Sequence, residues 1–236
     1  LGVSIPQGRR VDAPDAPAES MEDFIARDLG MPVSWIRPRA LWILRRADRS
    51  DVKQLVMIVG KGGSKTNIAA IMLARQCQRL LVLPDPAAHY GQMPGSLVGV
   101  INMSASGKDQ AQLAIFGELR RHIRNAPWFQ RYAVPDGVGE DGLPGTATSV
   151  KWSGKNVIAF CGNSQSEGAE GISFIAAAVD EVCRLPESGP NRVLTADSLV
   201  NPVRETMVTR FGAARKIILM SWPAHKEAFL HREKSA

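Results

Sequence analysis

A mostly apolar run, QLVMIV (residues 54–59), leads directly into a glycine-rich turn, GKGGSKT (residues 60–66), and then into apolar residues at helical spacing (residues 66–81). This order predicts a buried β-strand, a tight turn and a helix. A turn of this kind that ends in Lys65 and Thr66 is typical of a phosphate-binding loop, for which the usual pattern is G-x-x-x-x-G-K-[ST]. The segment therefore favours an α/β fold.

Two positions depart from that pattern. Aligned on Lys65, it requires glycine at positions 59 and 64, where the chain has Val59 and Ser64. If Ser64 adopts a positive φ, serine costs about 1 kcal/mol more than glycine there. The other requirements are met, because small residues, a lysine and a following helix are all present. On this stretch alone, a phosphate site and a plain glycine turn with an incidental Lys-Thr pair both remain open.

A second motif favours the phosphate site. The apolar run FIAAAVDE (residues 174–181) ends in Asp180 and Glu181. In a phosphate-loop enzyme we expect such a strand beside the loop, with its Asp in the Mg²⁺ shell and its Glu polarising the attacking water. Ligands of open α/β sheets bind at the carboxyl ends of strands, where both motifs fall. An apolar strand ending in two acids can also simply reach solvent, but the pair of motifs favours ATP hydrolysis.

The remaining pattern alternates strands and helices, which predicts a mainly parallel sheet with helices on both faces. Residues 148–162 are expected to form a hairpin around residues 153–155. A helix predicted over residues 192–212 should be kinked or interrupted at Pro202. Residues 1–18 are expected to form a flexible arm and residues 19–236 a single domain. The three cysteines lack metal-ligand spacing and are expected to be reduced.

The chain resembles the ATPase domain of the large terminase subunit of tailed bacteriophages, the motor that packages DNA. The resemblance extends from about Trp35 to the end and rests on several stretches together: GKGGSKT, GVINMSASGKDQAQLAIFGELRRHI, NAPWF, CGNSQSEGAEGISF, AAAVDE and KIILMSWP. It implies a P-loop NTPase fold (RecA/ASCE-like), α/β with a mainly parallel sheet. Family members normally continue into a nuclease, and we expect no nuclease activity from this chain.

The resemblance also implies roles for matching residues. ATP and Mg²⁺ would bind at the loop residues Gly60, Lys61, Gly62, Gly63, Ser64, Lys65, Thr66 and Asn67. Lys65 would hold the β- and γ-phosphates, and Lys61, four residues earlier, would assist catalysis there or sense the loss of the phosphates. Thr66 and Asp180 would hold the Mg²⁺, and Glu181 would activate the attacking water. Ser221, in the family's coupling strand, would relay hydrolysis to movement.

The net charge of +6 and the pI of about 9.5 favour a polyanionic partner. The resemblance implies double-stranded DNA held by its backbone, a homo-oligomeric ring, a portal protein and a small terminase subunit. It places the protein in the host cytoplasm, at the procapsid during packaging. The chain has no apolar stretch of membrane-spanning length, so no membrane contact is expected. Alternatives are a helicase or DNA-repair ATPase with the same site, and a non-hydrolysing DNA-binding structural protein.

Other residues have simpler interpretations beside functional ones. The cluster Arg120, Arg121 and Arg124 could contact DNA or a neighbouring subunit's phosphate, but a solvated helix face explains it as well. The same holds for Arg45, Arg46 and Arg49. A trans-acting arginine could equally be Arg131, Arg184 or Arg192. The histidines are expected near the surface, and Trp128 and Phe129 are expected to pack rather than to stack on bases.

Overall fold

The computed structural model describes residues 20–60, 62–104, 112–162, 171–184 and 195–222. Six strands form one sheet: β1 (Gln54–Ile58), β2 (Val98–Ser104), β3 (Ser149–Trp152), β4 (Val157–Gly162), β5 (Ser173–Asp180) and β6 (Lys216–Ser221). The order across the sheet is β1-β6-β5-β2-β4-β3. All neighbours are parallel except β3 and β4, which are antiparallel. The predicted mainly parallel sheet is confirmed, as is the hairpin around residues 153–155.

Seven α-helices accompany the sheet in the described parts of the chain: α1 (Met21–Asp23), α2 (Pro38–Asp48), α3 (Lys65–Leu81), α4 (Pro86–His89), α5 (Gly117–Asn125), α6 (Pro127–Tyr132) and α7 (Ala196–Phe211). Wider π-helical turns occupy Phe24–Asp28 and Gln112–Phe116. Short 3₁₀ turns lie at Val33–Trp35, Ser153–Lys155, Val182–Arg184 and Gly212–Ala214. None of these helices is both long enough and apolar enough to cross a membrane.

Two apolar clusters show that helices cover both faces of the sheet. The larger contains almost the whole of α3 together with α2, α5 and α6, and packs on one face. The smaller joins Leu199 and Met207 of α7 to Ala177 and Leu219 of the strands on the other face. Strands β5 and β6 contribute side chains to both clusters, because each of their faces is covered by helices. Their sequences are therefore continuous apolar runs and do not alternate between apolar and polar residues. The α/β architecture is therefore a helix–sheet–helix sandwich.

Two expectations from the sequence need correction. The run at residues 54–59 was expected to form a buried strand. However, β1 is an edge strand of the described sheet, and only Met57 in it is fully buried. The expected interruption at Pro202 is wrong, because α7 runs continuously from Ala196 to Phe211 through this residue; the expected kink stays a prediction. The three cysteines form no disulfide. The arm predicted for residues 1–18 lies outside the described residues.

Candidate functional site

The glycine-rich turn leaves the carboxyl end of β1 and enters α3 through a left-handed residue. Ser64 has φ 62° and ψ 16°, and it immediately precedes the first turn of α3. A non-glycine residue in that region is strained by about 1 kcal/mol or more. Gly63 is required for a different reason: a Cβ there would lie 2.1 Å from Cγ1 of Val59. The backbone of this turn is thus tightly specified despite the serine.

The loop lines an open cleft. Its walls are Gly60, residues 62–67 and Glu118 of α5, and its volume is about 390 Å³. The Nζ of Lys65 donates a hydrogen bond to the carbonyl oxygen of Val59 at 2.6 Å and a longer one to Gly60 at 3.5 Å. The positive end of the α3 dipole faces the same cleft. A lysine, the backbone amides of a glycine-rich loop and a helix N-terminus around one cavity suit a polyphosphate.

Two long-range contacts fix the loop and the first turn of α3, and neither was predicted from the sequence. Arg37 donates a 2.6 Å hydrogen bond from Nη1 to the carbonyl oxygen of Gly62. His122 Nε2 lies 2.9 Å from the Asn67 Oδ1. Burial lowers the pKa of His122, which is half-buried rather than exposed. These partners lie 25 and 55 residues apart in the chain, beyond the reach of any local pattern.

The acidic motif ends β5, but not directly beside the loop strand. β6 lies between β1 and β5, so at a strand spacing of about 4.8 Å the ends of β1 and β5 are roughly 10 Å apart. The expectation of a neighbouring strand is therefore wrong by one strand. Glu181 has φ 57°, and its backbone N–H donates to the Oδ1 of Asp180 at 2.8 Å. Such a strained backbone is frequent at functional sites.

The intervening strand places Ser221 at the base of the loop. The residue is fully buried, and its carbonyl oxygen accepts a 3.0 Å hydrogen bond from the N–H of Val59. Its Oγ has no hydrogen-bond partner among the described residues. The carboxyl ends of β1, β6 and β5 therefore bring the loop, Ser221 and the Asp180–Glu181 pair to one edge of the sheet. Lys61 lies outside the described residues.

Comparison with known proteins agrees with this geometry. A family model described as the N-terminal P-loop domain of the uncharacterized protein MJ0330 matches residues 44–235, which is most of the chain. The chain belongs to this P-loop family. The fold of this P-loop domain is also similar to the crystal structure of the HK97 bacteriophage large terminase, with a TM-score of 0.56 and 15% sequence identity. That alignment covers 90% of this chain and 39% of the terminase chain. No curated protein matches the chain in sequence.

The residues of the P-loop domain fit a nucleotide with Mg²⁺. At Gly60 and Gly62, which line the cleft, no protein atom lies within 4 Å of the position that a Cβ would take, so phosphate oxygens can approach the loop backbone closely there. The Thr66 hydroxyl and the Asp180 carboxylate are oxygen ligands, which Mg²⁺ prefers. Within the described ranges, no group of three or more His, Cys, Asp or Glu side chains is arranged as a metal site. Such a site is not needed when the phosphates supply the other ligands.

The arginines of α5 have different environments. Arg120 is 3% exposed, and its guanidinium binds both carboxylate oxygens of Asp141, at 2.6 and 2.8 Å. The interpretation as a solvated face is thus wrong for Arg120, because a bidentate ion pair holds it inside. Arg121 donates to Glu118, which lines the cleft, and Arg124 is exposed. Trp128 and Phe129 are buried against each other, as predicted.

Proposed function

We propose that this P-loop domain is the ATP-hydrolysing motor of a viral DNA-packaging terminase, which translocates double-stranded DNA into a procapsid. One structural observation supports the proposal most directly. The strand between the loop and the acidic pair ends in Ser221, whose backbone is hydrogen-bonded to the base of the loop. A change at the phosphates therefore has a short physical route into a strand of the sheet. The fold similarity to the HK97 large terminase agrees with this assignment.

Phosphate binding is assigned to the loop. The amides of residues 62–67 would donate to the β- and γ-phosphate oxygens of ATP. Lys65 would exchange its 2.6 Å hydrogen bond to the Val59 carbonyl for a charge-assisted contact with phosphate. Lys61 would add a second cation at the same phosphates. In this view the bond to Val59 holds the lysine in reach of the cleft before ATP binds.

Hydrolysis is assigned to the acidic pair and the first turn of α3. Mg²⁺, when bound, neutralises charge that develops on the transferred phosphate. Thr66 and Asp180 would hold it, and the 2.8 Å bond from the Glu181 N–H helps orient the Asp180 carboxylate. The Glu181 carboxylate would accept a proton from the attacking water as a general base. Asn67, fixed by His122, keeps the start of α3 in place.

The proposed packaging role also implies several binding partners. Double-stranded DNA would be held through its backbone, and a homo-oligomeric ring would keep hold of it between strokes. A portal protein and a small terminase subunit would complete the machine in the host cytoplasm, at the procapsid. Ser221 would transmit the hydrolysis step to β6 and hence to the DNA-holding surface.

The decisive experiment separates binding from hydrolysis. Lys65→Ala should abolish saturable binding of a fluorescent ATP analogue with Mg²⁺. Glu181→Gln should keep that binding and lose about 10²- to 10⁴-fold in hydrolysis, assayed with duplex DNA at concentrations that favour assembly. The exposed Glu205→Gln on α7 is the matched control and should hydrolyse ATP normally.

Other outcomes point elsewhere. Hydrolysis by Glu181→Gln at the parental rate would contradict the catalytic assignment. Strand separation by the wild type would favour a helicase or DNA-repair ATPase. If neither the wild type nor Lys65→Ala binds nucleotide, a non-hydrolysing DNA-binding structural protein becomes the better reading.

A further inference from the structure

The exposed face of α2 carries an aromatic ring between two cations. Trp42 is 63% exposed, an unusual position for so large an apolar side chain. Arg39 lies three residues before it and Arg46 four residues after it, so the three side chains share one side of the helix. The opposite side packs into the core through Ala40, Leu44 and Ala47. We name Arg39, Trp42 and Arg46 the cationic face of α2.

The guanidinium groups of this face form no ion pair within the described parts of the chain, although the pKa of Asp51 is lowered by the hydrogen bond from Arg49 and, to a smaller extent, by the charge of Arg46. The neighbouring Arg45 pairs with Glu22, and Arg49 pairs with Asp51. The side chains of Arg39 and Arg46, by contrast, form no hydrogen bond or ion pair with any residue that the structure describes. Two such guanidinium groups beside an exposed tryptophan are well suited to a polyanion.

We propose that the cationic face of α2 binds the sugar–phosphate backbone of duplex DNA. Arg39 and Arg46 are seven residues apart, about 10 Å along the helix axis. With the reach of their side chains, they can contact phosphates on both sides of a groove about 12 Å wide. Trp42 would pack against a deoxyribose of one of the two strands, since paired bases are closed to stacking. The contact carries no sequence information.

This surface is tied at one end to the phosphate loop and near the other end to the amino end of β6, the strand that finishes at Ser221. Arg37, immediately before α2, donates to the Gly62 carbonyl of the loop at 2.6 Å. Near the other end, the Nζ of Lys216, the first residue of β6, donates to the Ala47 carbonyl at 2.9 Å. Any shift of α2 on the loop therefore changes both sites. Nucleotide and DNA should each alter the affinity for the other by the same factor.

The inference rests on the proposed function for the identity of its partner and adds the location of the contact. The test measures binding of a labelled duplex by fluorescence anisotropy, at salt concentrations from about 50 to about 200 mM. The double variant Arg39→Gln/Arg46→Gln should bind more weakly. The slope of log affinity against log salt should become shallower by about 2, because each lost phosphate contact removes about 0.9. Trp42→Ala should weaken binding without changing the slope, because it removes no charge.

The control variant Lys151→Gln/Lys155→Gln removes the same charge from β3 and the 3₁₀ turn after it, at the edge of the sheet opposite β1. It should leave the slope near that of the wild type. Binding of the ATP analogue by all variants confirms that they fold and that the nucleotide site is intact. A double variant on α2 with the slope of the control would overturn the assignment while leaving the motor proposal standing.

Two further outcomes also count against the inference. If the wild type prefers single strands and Trp42→Ala removes that preference, the face is a base-stacking site and not a duplex contact. If sedimentation shows that the α2 variants lose self-association while they bind DNA normally, the face joins subunits. A wild type that binds ATP but no duplex at any salt concentration would sink both this inference and the DNA partner of the proposed function.

Discussion

The N–H of Val59 donates a 3.0 Å hydrogen bond to the carbonyl oxygen of Ser221, so the residue that opens the phosphate loop is held by the last residue of β6. The bond continues the parallel pairing in which Ile58 lies opposite Ser221. It involves only backbone atoms. The Ser221 hydroxyl therefore takes no part in this strand pairing, and we assign it a role in coupling instead.

The variant Ser221→Ala tests whether the hydroxyl couples hydrolysis to movement. Because the buried Oγ has no hydrogen-bond partner among the described residues, its removal should raise the free energy of unfolding by about 1 kcal/mol. ATP-analogue binding should not change, since the backbone bond to Val59 remains. DNA movement driven by ATP should be lost if the hydroxyl transmits hydrolysis.

The control for Ser221→Ala is Ser173→Ala. The Oγ of Ser173 accepts a hydrogen bond from Arg210 at 2.5 Å, so this change should destabilise the protein. Denaturant unfolding measures both variants. A Ser221→Ala protein that moves DNA as the wild type does would remove Ser221 from the coupling route.

Ser64→Gly should stabilise the protein. Glycine adopts the left-handed conformation of residue 64 without strain, and the serine makes no side-chain capping bond that would be lost. We expect a gain of about 0.5 to 1 kcal/mol, after the greater unfolded-state entropy of glycine is included. Ser64→Ala keeps the strain and should give no gain. Equal gains for Gly and Ala, measured by chemical denaturation, would show that backbone strain is not the cause.

Gly63→Ala should destabilise the loop. Its new Cβ would lie 2.1 Å from the Val59 Cγ1, and overpacking of this kind costs about 1 to 3 kcal/mol. Gly60→Ala is the stability control, because a Cβ there meets nothing within 4 Å. Adding Val59→Ala to Gly63→Ala removes the clashing methyl group and should restore part of the stability. Failure of this rescue would place the cost elsewhere.

Lys216 should make stability depend on pH. Burial lowers its pKa from 10.5 to about 8. Between those pH values the unfolded chain holds a proton that the folded chain has lost, so this group's contribution to the free energy of unfolding rises with pH. Below pH 8 the lysine is charged in both states and its contribution is constant.

Lys216→Met should remove that rise, although the variant loses bonds to the carbonyls of Ala47, Arg49 and Val52 and should be less stable overall. The exposed Lys151→Met is the control and should keep the wild-type pH dependence. Urea unfolding at several pH values from 7 to 10.5 measures all three proteins. Parallel curves for the wild type and Lys216→Met would contradict the assignment.

Local patterns predicted much of this fold. The strand, glycine turn and helix around Lys65 needed only residue order and composition, and so did the hairpin around residues 153–155. The acidic end of β5 was recognisable because its apolar run stops abruptly at Asp180. In each case the signal lies within one element and its immediate neighbours in the chain.

The order of the strands could not be predicted in the same way. Nothing in KIILMS indicates that β6 inserts between β1 and β5, because every neighbour in a parallel sheet offers the same apolar surface. The burial of Arg120 was missed for a related reason. Its partner Asp141 lies 21 residues away in a loop. The sequence alone does not distinguish the buried arginine from the two other arginines on the same helix.

The position of β6 also determines when the nucleotide site can form during synthesis of the chain. It is the last strand of the described chain to leave the ribosome, yet in the finished sheet it is the piece that joins β1 to everything else. Until residue 221 has emerged, the phosphate loop and the acidic pair belong to two halves with no strand between them. Nascent chains that lack β6 are therefore expected not to bind ATP, and the site should form only after synthesis has passed the end of this strand.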